Sequence, residues 1–212
     1  MTYGDVKALD AVDLEITPQD RLALLGRSGS GKTTLLHVLG GLVEPSSGSV
    51  EWQGQPLTAL DTAARRALRA RGIAYVFQGA NLLPHFTAFE NVAFAQHVAG
   101  ADLEEALDPA AFLGLVGLAG KQDSLPAELS GGEAQRTALS RALAQGPKVL
   151  LCDEPTGHLD SDTGERVLDL IDALQLEFGF ALVIATHDFD VAARLDRVIE
   201  LHDGKVVREE TL

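Results

Sequence analysis

The chain has 212 residues, a formal net charge of −14, and 46% hydrophobic against 23% charged residues. That length supports one large domain or two small lobes around a buried core, and the apolar share excludes wholesale disorder. Such acidity repels a phosphate backbone and excludes nucleic acid as a general partner, and no run of about 18 apolar residues offers direct membrane insertion.

The single cysteine, Cys152, excludes an intrachain disulfide and fits a reducing compartment as a small buried hydrophobe. Met1 to Asp5 lacks the basic-then-apolar pattern of a secretory signal, so a cytoplasmic protein is predicted. Along the chain, Val12, Leu14 and Ile16 alternate with polar residues, predicting a half-buried strand that Pro18-Gln19-Asp20 ends. Arg21 to Leu25 is short and apolar, as in a strand buried on both faces.

Gly26-Arg27-Ser28-Gly29-Ser30-Gly31-Lys32-Thr33 then fits G-x-x-x-x-G-K-[ST], between that strand and an apolar helix running from Thr34 to Leu39. Glycines let successive N–H groups point at phosphate oxygens, and the helix N-terminus adds favourable partial charge. Lys32 reaches the β- and γ-phosphates of a nucleoside triphosphate, and the Thr33 hydroxyl is a Mg²⁺ ligand. The candidate nucleotide-binding set is Arg27, Ser28, Gly29, Ser30, Gly31, Lys32, Thr33 and Thr34.

Val50 and Trp52 alternate before a Gln53-Gly54 turn, and with the earlier strand predict a small antiparallel sheet. Asp61 to Arg71 is Ala- and Arg-rich and reads as helix, and Ile73 to Phe77 as strand. Gly79 to Ala127 carries no strand signal and reads as an inserted helical lobe, drawn to about residue 145 with the helix Ala134 to Ala144. Val149 to Cys152 is a further buried strand, ending in Asp153-Glu154. An Asp-Glu pair there is either an acidic helix cap or a metal-facing carboxylate beside a general base; with the phosphate loop, the second reading is favoured.

Phe180 to Ala185 predicts another buried strand, closed by His187 at the same sheet edge, where it can meet a γ-phosphate or an attacking water. Val198 to Leu201 and Lys205 to Val207 flank Asp203-Gly204 as a terminal hairpin. Buried strands alternating with helices predict a single α/β domain over residues 1–212, with a mainly parallel sheet.

Leu129-Ser130-Gly131-Gly132-Glu133-Ala134-Gln135-Arg136 resembles the signature of ABC-type ATPases, 23 residues from Ser130 to Asp153. Ser130 and Glu133 form a capping-box pattern, and Gly131-Gly132 leave helix N–H groups open to a phosphate. The other motifs of the family appear in order: Gln78 as Q-loop, Asp153-Glu154-Pro155 as Walker B, Thr156 to Asp160 as D-loop and His187 as switch histidine. The resemblance covers nearly the whole chain. It implies a P-loop NTPase core with a small antiparallel subdomain and an inserted helical subdomain, ATP and Mg²⁺ as ligands, and ATP hydrolysis.

It further implies that Ser130, Gly131, Gly132 and Asp160 serve a nucleotide held by a second copy or a homologous ATPase subunit. Thr33, Gln78 and Asp153 would hold or orient Mg²⁺, with Glu154, His187 and Lys32 acting in catalysis. Tyr3 lies 23 residues before Gly26, like the family's adenine-stacking aromatic; it is either that residue or a terminal tyrosine without a partner. Family members carry a further strand ahead of this aromatic, which this sequence lacks. His158 and Glu133 stand where Asn and Gln are common in the family.

Gln78 to Val92, Leu35 to Leu42 and the run Thr156 to Asp160 look like the lipoprotein-releasing and macrolide-export group. That likeness implies a separate transmembrane permease subunit, a helix of which docks near Leu82, Leu83, Phe86 and Phe89, and a peripheral place on the cytoplasmic face of the membrane. An ATPase regulating cell-wall or cell-division machinery through a membrane partner is the alternative. A DNA-repair type ATPase fits less well, because Lys32 to Ser130 leaves no room for a long coiled coil.

Overall fold

The computed structural model describes residues 1–100 and 107–212. Its centre is a six-stranded sheet built from β3 (Arg21–Leu25), β6 (Ile73–Val76), β7 (Val149–Asp153), β8 (Ala181–Thr186), β9 (Arg197–His202) and β10 (Lys205–Thr211). The order is β10-β9-β3-β8-β7-β6, and every neighbouring pair is parallel except the β9–β10 hairpin. Asp203 and Gly204 turn that hairpin with both φ values positive, as a two-residue loop between right-twisted strands requires.

Alternate residues of each central strand serve opposite cores, which is why these strands are apolar throughout. Ala23, Leu25, Cys152, Leu182 and Ile184 face one core, with helices α5 (Gly131–Leu143) and α6 (Ser161–Phe178). Leu22, Leu24, Leu151, Val183 and Ala185 face the other, against Leu35, Leu36 and Val38 of α1 (Lys32–Leu39). Cys152 is fully buried in the first core, and burial pushes its thiol well above the usual range.

Strands align so that their carboxyl ends are level: Leu25 pairs with Thr186, Asp153 with Ala185, and Val76 with Cys152. The segments leaving these ends, at Gly26, Phe77, Glu154 and His187, therefore emerge on one edge. Between β6 and β7, the described residues hold α3 (Ala88–Ala99), α4 (Pro109–Leu115) and α5, with no strand among them. The predicted lobe over about 79–145 includes residues 101–106, which lie outside the described residues. Thr87 with Glu90, and Ser130 with Glu133, close reciprocal capping boxes at the starts of α3 and α5.

The predicted small antiparallel element is present as two separate hairpins, β1 (Thr2–Tyr3) with β2 (Val6–Lys7), and β4 (Glu51–Trp52) with β5 (Gln55–Pro56). Val12, Leu14 and Ile16 are half-buried in alternation, yet among the described residues their segment pairs with no strand. Alternation reported that one side of an extended segment packs on a core; it carried no information about a ladder partner.

Candidate functional site

An open cleft of about 830 Å³ lies over the carboxyl edge of the sheet. Arg27, Ser28, Gly29, Gly31, Lys32, Thr33 and Thr34 line it from the phosphate loop, and Gln78, Asp153, Glu154 and His187 from the neighbouring strand ends. Gly31 has φ +103°, and a Cβ there would stand 2.5 Å from the Ala8 carbonyl, so this turn admits only glycine.

Lys32 is 5% exposed, and its ammonium is held by the carbonyls of Gly26 at 2.7 Å and Arg27 at 3.1 Å. Burial pulls its pKa down, opposed by the charges of Glu154 and Asp153. The Thr33 hydroxyl donates to Asp153 Oδ1 at 3.2 Å. Burial holds the Asp153 carboxyl above its ordinary range, with the Thr33 bond acting against it. A hydroxyl and a buried carboxylate in contact are hard oxygen donors of the kind Mg²⁺ takes, so the residues present fit that ion.

Glu154 is the junction of the site. Gln78 donates through Nε2 to Oε2 at 3.2 Å, His187 Nδ1 lies 3.1 Å from Oε1, and Lys32 Nζ lies 3.9 Å from Oε1. Glu154 has φ +44°, a conformation that non-glycine residues adopt at a cost, and its N–H donates to the Ala185 carbonyl at 2.9 Å. Pairing thus continues one residue beyond β7 and fixes the side chain over the cleft.

Other predicted residues stand apart. Tyr3, 48% exposed on β1, does not line the cleft. Ser30 turns its hydroxyl inward, buried and, among the described residues, without a hydrogen-bond partner, while its backbone completes the loop. Ser130, Gly131, Gly132 and Asp160 also lie outside the cleft. The hydroxyl of Ser130 accepts from the Glu133 N–H, and the carboxylate of Asp160 accepts from the Thr163 N–H, so both are helix caps within one chain.

Sequence reasoning misses six lining residues: Val6, Lys7, Ala8, Phe189, and Asp203 and Gly204, which the sequence marks only as a hairpin turn. Phe189 is 70% exposed although aromatic, a signal visible once the strand ending at Thr186 is placed. The N-terminal hairpin and the terminal turn reach the loop only through tertiary contact.

The family model for ABC transporters matches residues 9–157. A lipoprotein-releasing system ATP-binding protein, LolD, of Ruegeria pomeroyi is 46% identical over 209 residues, spanning 98% of this chain and 92% of its own. An uncharacterised ABC transporter ATP-binding protein, YbbA, of Escherichia coli K12 is 44% identical over 206 residues, covering 97% of this chain and 90% of the relative. Among solved structures, the ATP-binding cassette MJ0796, dimeric in a post-hydrolysis state with ADP and Pi, superposes with a TM-score of 0.88 at 36% identity. That match covers 100% of this chain and 94% of MJ0796.

Proposed function

The chain belongs to the ABC transporter family as an ATP-binding, ATP-hydrolysing subunit, and on that premise we propose how its residues divide the work. The triphosphate of ATP lies along the loop from Gly26 to Thr33, where backbone N–H groups and Lys32 stabilise charge developing on the γ-phosphoryl group. Glu154 accepts a proton from water as a new O–P bond forms and the bond to the β–γ bridging oxygen breaks, releasing ADP and phosphate. His187 steadies that carboxylate and the γ-phosphate. The observation that carries this reading is the convergence of Gln78, His187 and Lys32 on one carboxylate, Glu154.

Thr33, Asp153 and Gln78 are the residues that would hold Mg²⁺, whose chemistry there is charge neutralisation of the β- and γ-oxygens. Tyr3 itself lies outside the cleft, but its partner strand lines it through Val6 and Lys7, and from that hairpin Tyr3 would flank the adenine. Ser130, Gly131, Gly132 and Asp160 complete the site of a second copy, which accounts for their distance from this chain's own cleft. The dimeric state of MJ0796 supports that arrangement.

The likeness to LolD supports a lipoprotein-releasing role through a separate membrane subunit, and among the described residues no helix is long and apolar enough to cross a membrane. Phe86 and Phe94, each at least 36% exposed, meet edge to face on the helical lobe beside half-buried Leu82, Leu83 and Phe89. This apolar patch suits a helix of that subunit, and such docking would set the chain at the cytoplasmic face of the membrane. Phe86→Asp should abolish pull-down of the membrane subunit; full retention would remove the patch from that role.

Subunit mixing tests the shared site. Lys32→Ala and Ser130→Arg are each expected to be inactive alone, but mixed dimers contain one intact pairing of loop and signature. Recovered ATP turnover on mixing supports the reading. Verified mixed dimers without turnover would count against it.

A further inference from the structure

Helix α5 grips the segment that carries Gln78 through two side chains that the hydrolytic reading does not use. Gln135 donates through Nε2 to the Phe77 carbonyl at 3.3 Å. Arg141 forks across the next turn, donating from Nη1 to the Asn81 carbonyl at 2.6 Å and from Nη2 to the Ala80 carbonyl at 2.9 Å.

The turn it grips is a strained one. Ala80 and Asn81 have φ values of +58° and +47°, in the left-handed region that residues with a Cβ enter at a cost. Ala80 donates to the Phe77 carbonyl at 3.1 Å and Asn81 to the Gly79 carbonyl at 2.6 Å, so the chain doubles back directly after Gln78. Two consecutive left-handed residues that are not glycine persist only where their surroundings hold them.

Arg141 is half-buried, and among the described residues it has no ion-pair partner. Burial alone pulls its guanidinium pKa down. A desolvated cation satisfied by carbonyls is an expensive way to stabilise a helix, but its planar fork suits fixing two acceptors at once. Eleven residues separate it from Ser130, which is three helical turns or about 16 Å along nearly the same face of α5.

We infer that Arg141 is a positioning residue for Gln78: by bridging the Ala80 and Asn81 carbonyls it holds the left-handed turn that aims the Gln78 amide at Glu154. The inference rests on the proposed part of Gln78 in the hydrolytic site. Arg141 does not line the cleft; it acts through the turn.

The test is a double-mutant cycle on the full chain, reading steady-state ATP turnover, ATP affinity and melting temperature for Arg141→Lys, Gln78→Ala and the double variant. A lysine cannot bridge both carbonyls, so Arg141→Lys should lower kcat about tenfold, as small misplacements of a positioned group do, with ATP Kd unchanged. In the Gln78→Ala background the same substitution should cost nothing further. Losses that multiply, or an Arg141→Lys enzyme with wild-type kcat, would overturn the inference. If Gln78→Ala alone leaves turnover intact, the proposed part of Gln78 fails instead.

A second pair guards against an Arg141 variant that does not fold. Asn81 is exposed, and a β-branched residue is a poor fit at its φ. Asn81→Val should lose kcat in the same Gln78-dependent way, whereas Asn81→Gly should keep wild-type kcat. Equal activity of the two variants contradicts the proposal.

Discussion

The N–H of Gly204 donates to the carbonyl of Ser30 at 3.0 Å, so the turn of the C-terminal hairpin braces the phosphate loop at the edge of the cleft. The Gly204 carbonyl in turn accepts from Asp10 at 2.8 Å, joining three distant segments in one junction. A Cβ on Gly204, at φ +75°, would stand 2.7 Å from the Ala8 carbonyl.

Gly204→Ala should therefore weaken ATP binding as well as the fold. Gly54 provides a matched control: it occupies the same place in a two-residue turn, with φ +76° and nothing within 4 Å of an added Cβ. Both substitutions carry the left-handed backbone penalty of about 1–2 kcal/mol. Only Gly204→Ala should raise the ATP Kd, and titration calorimetry on the two variants checks this.

Asp153 predicts a trade of stability against activity. Its pKa is raised in the folded chain by burial, so its contribution to stability is full below the unfolded value near 3.8 and is lost as pH rises through the higher folded value. Near neutral pH the buried charge is a cost. Asp153→Asn keeps an oxygen for Thr33, so it should raise the melting temperature in metal-free buffer by about 2–4 °C. Turnover of ATP with Mg²⁺ should be lost. Calorimetric melting with an ATPase assay would reveal either half as wrong.

Cys152 should be inert in the native state, being fully buried with its thiol pushed upward. Alkylation by iodoacetamide, followed by mass spectrometry, should proceed only after denaturation. Rapid labelling of the folded chain would place the thiol elsewhere.

His187 differs from an ordinary loop histidine in contacting Glu154 at 3.1 Å. His187→Ala should lower kcat by about 10²-fold or more while leaving ATP affinity near wild type, as loss of a group acting on the reacting centre does. A raised KM with unchanged kcat would make His187 a binding residue only.

Much of this arrangement was legible in the sequence because it is local. The phosphate loop is one strand–turn–helix unit, and Asp153, Glu154 and His187 follow apolar strands whose ends a parallel sheet must bring to one edge. What was illegible depends on contacts between remote segments. The alternation of Val12, Leu14 and Ile16 could not reveal the absence of a paired strand. The approach of Ala8 and Gly204 to Gly31, and of Arg141 to Ala80, arises from packing that no spacing records. Ser130 and Asp160 reveal little within one chain, where both simply cap helices.

The most direct measurement is sedimentation of the Glu154→Gln variant with ATP and Mg²⁺. Removing the carboxylate should trap unhydrolysed nucleotide and drive the chain to a dimer that holds two ATP molecules, dispersing when Ser130→Arg is added to the same chain. A particle that stays monomeric at saturating ATP would contradict the shared site on which the account is built.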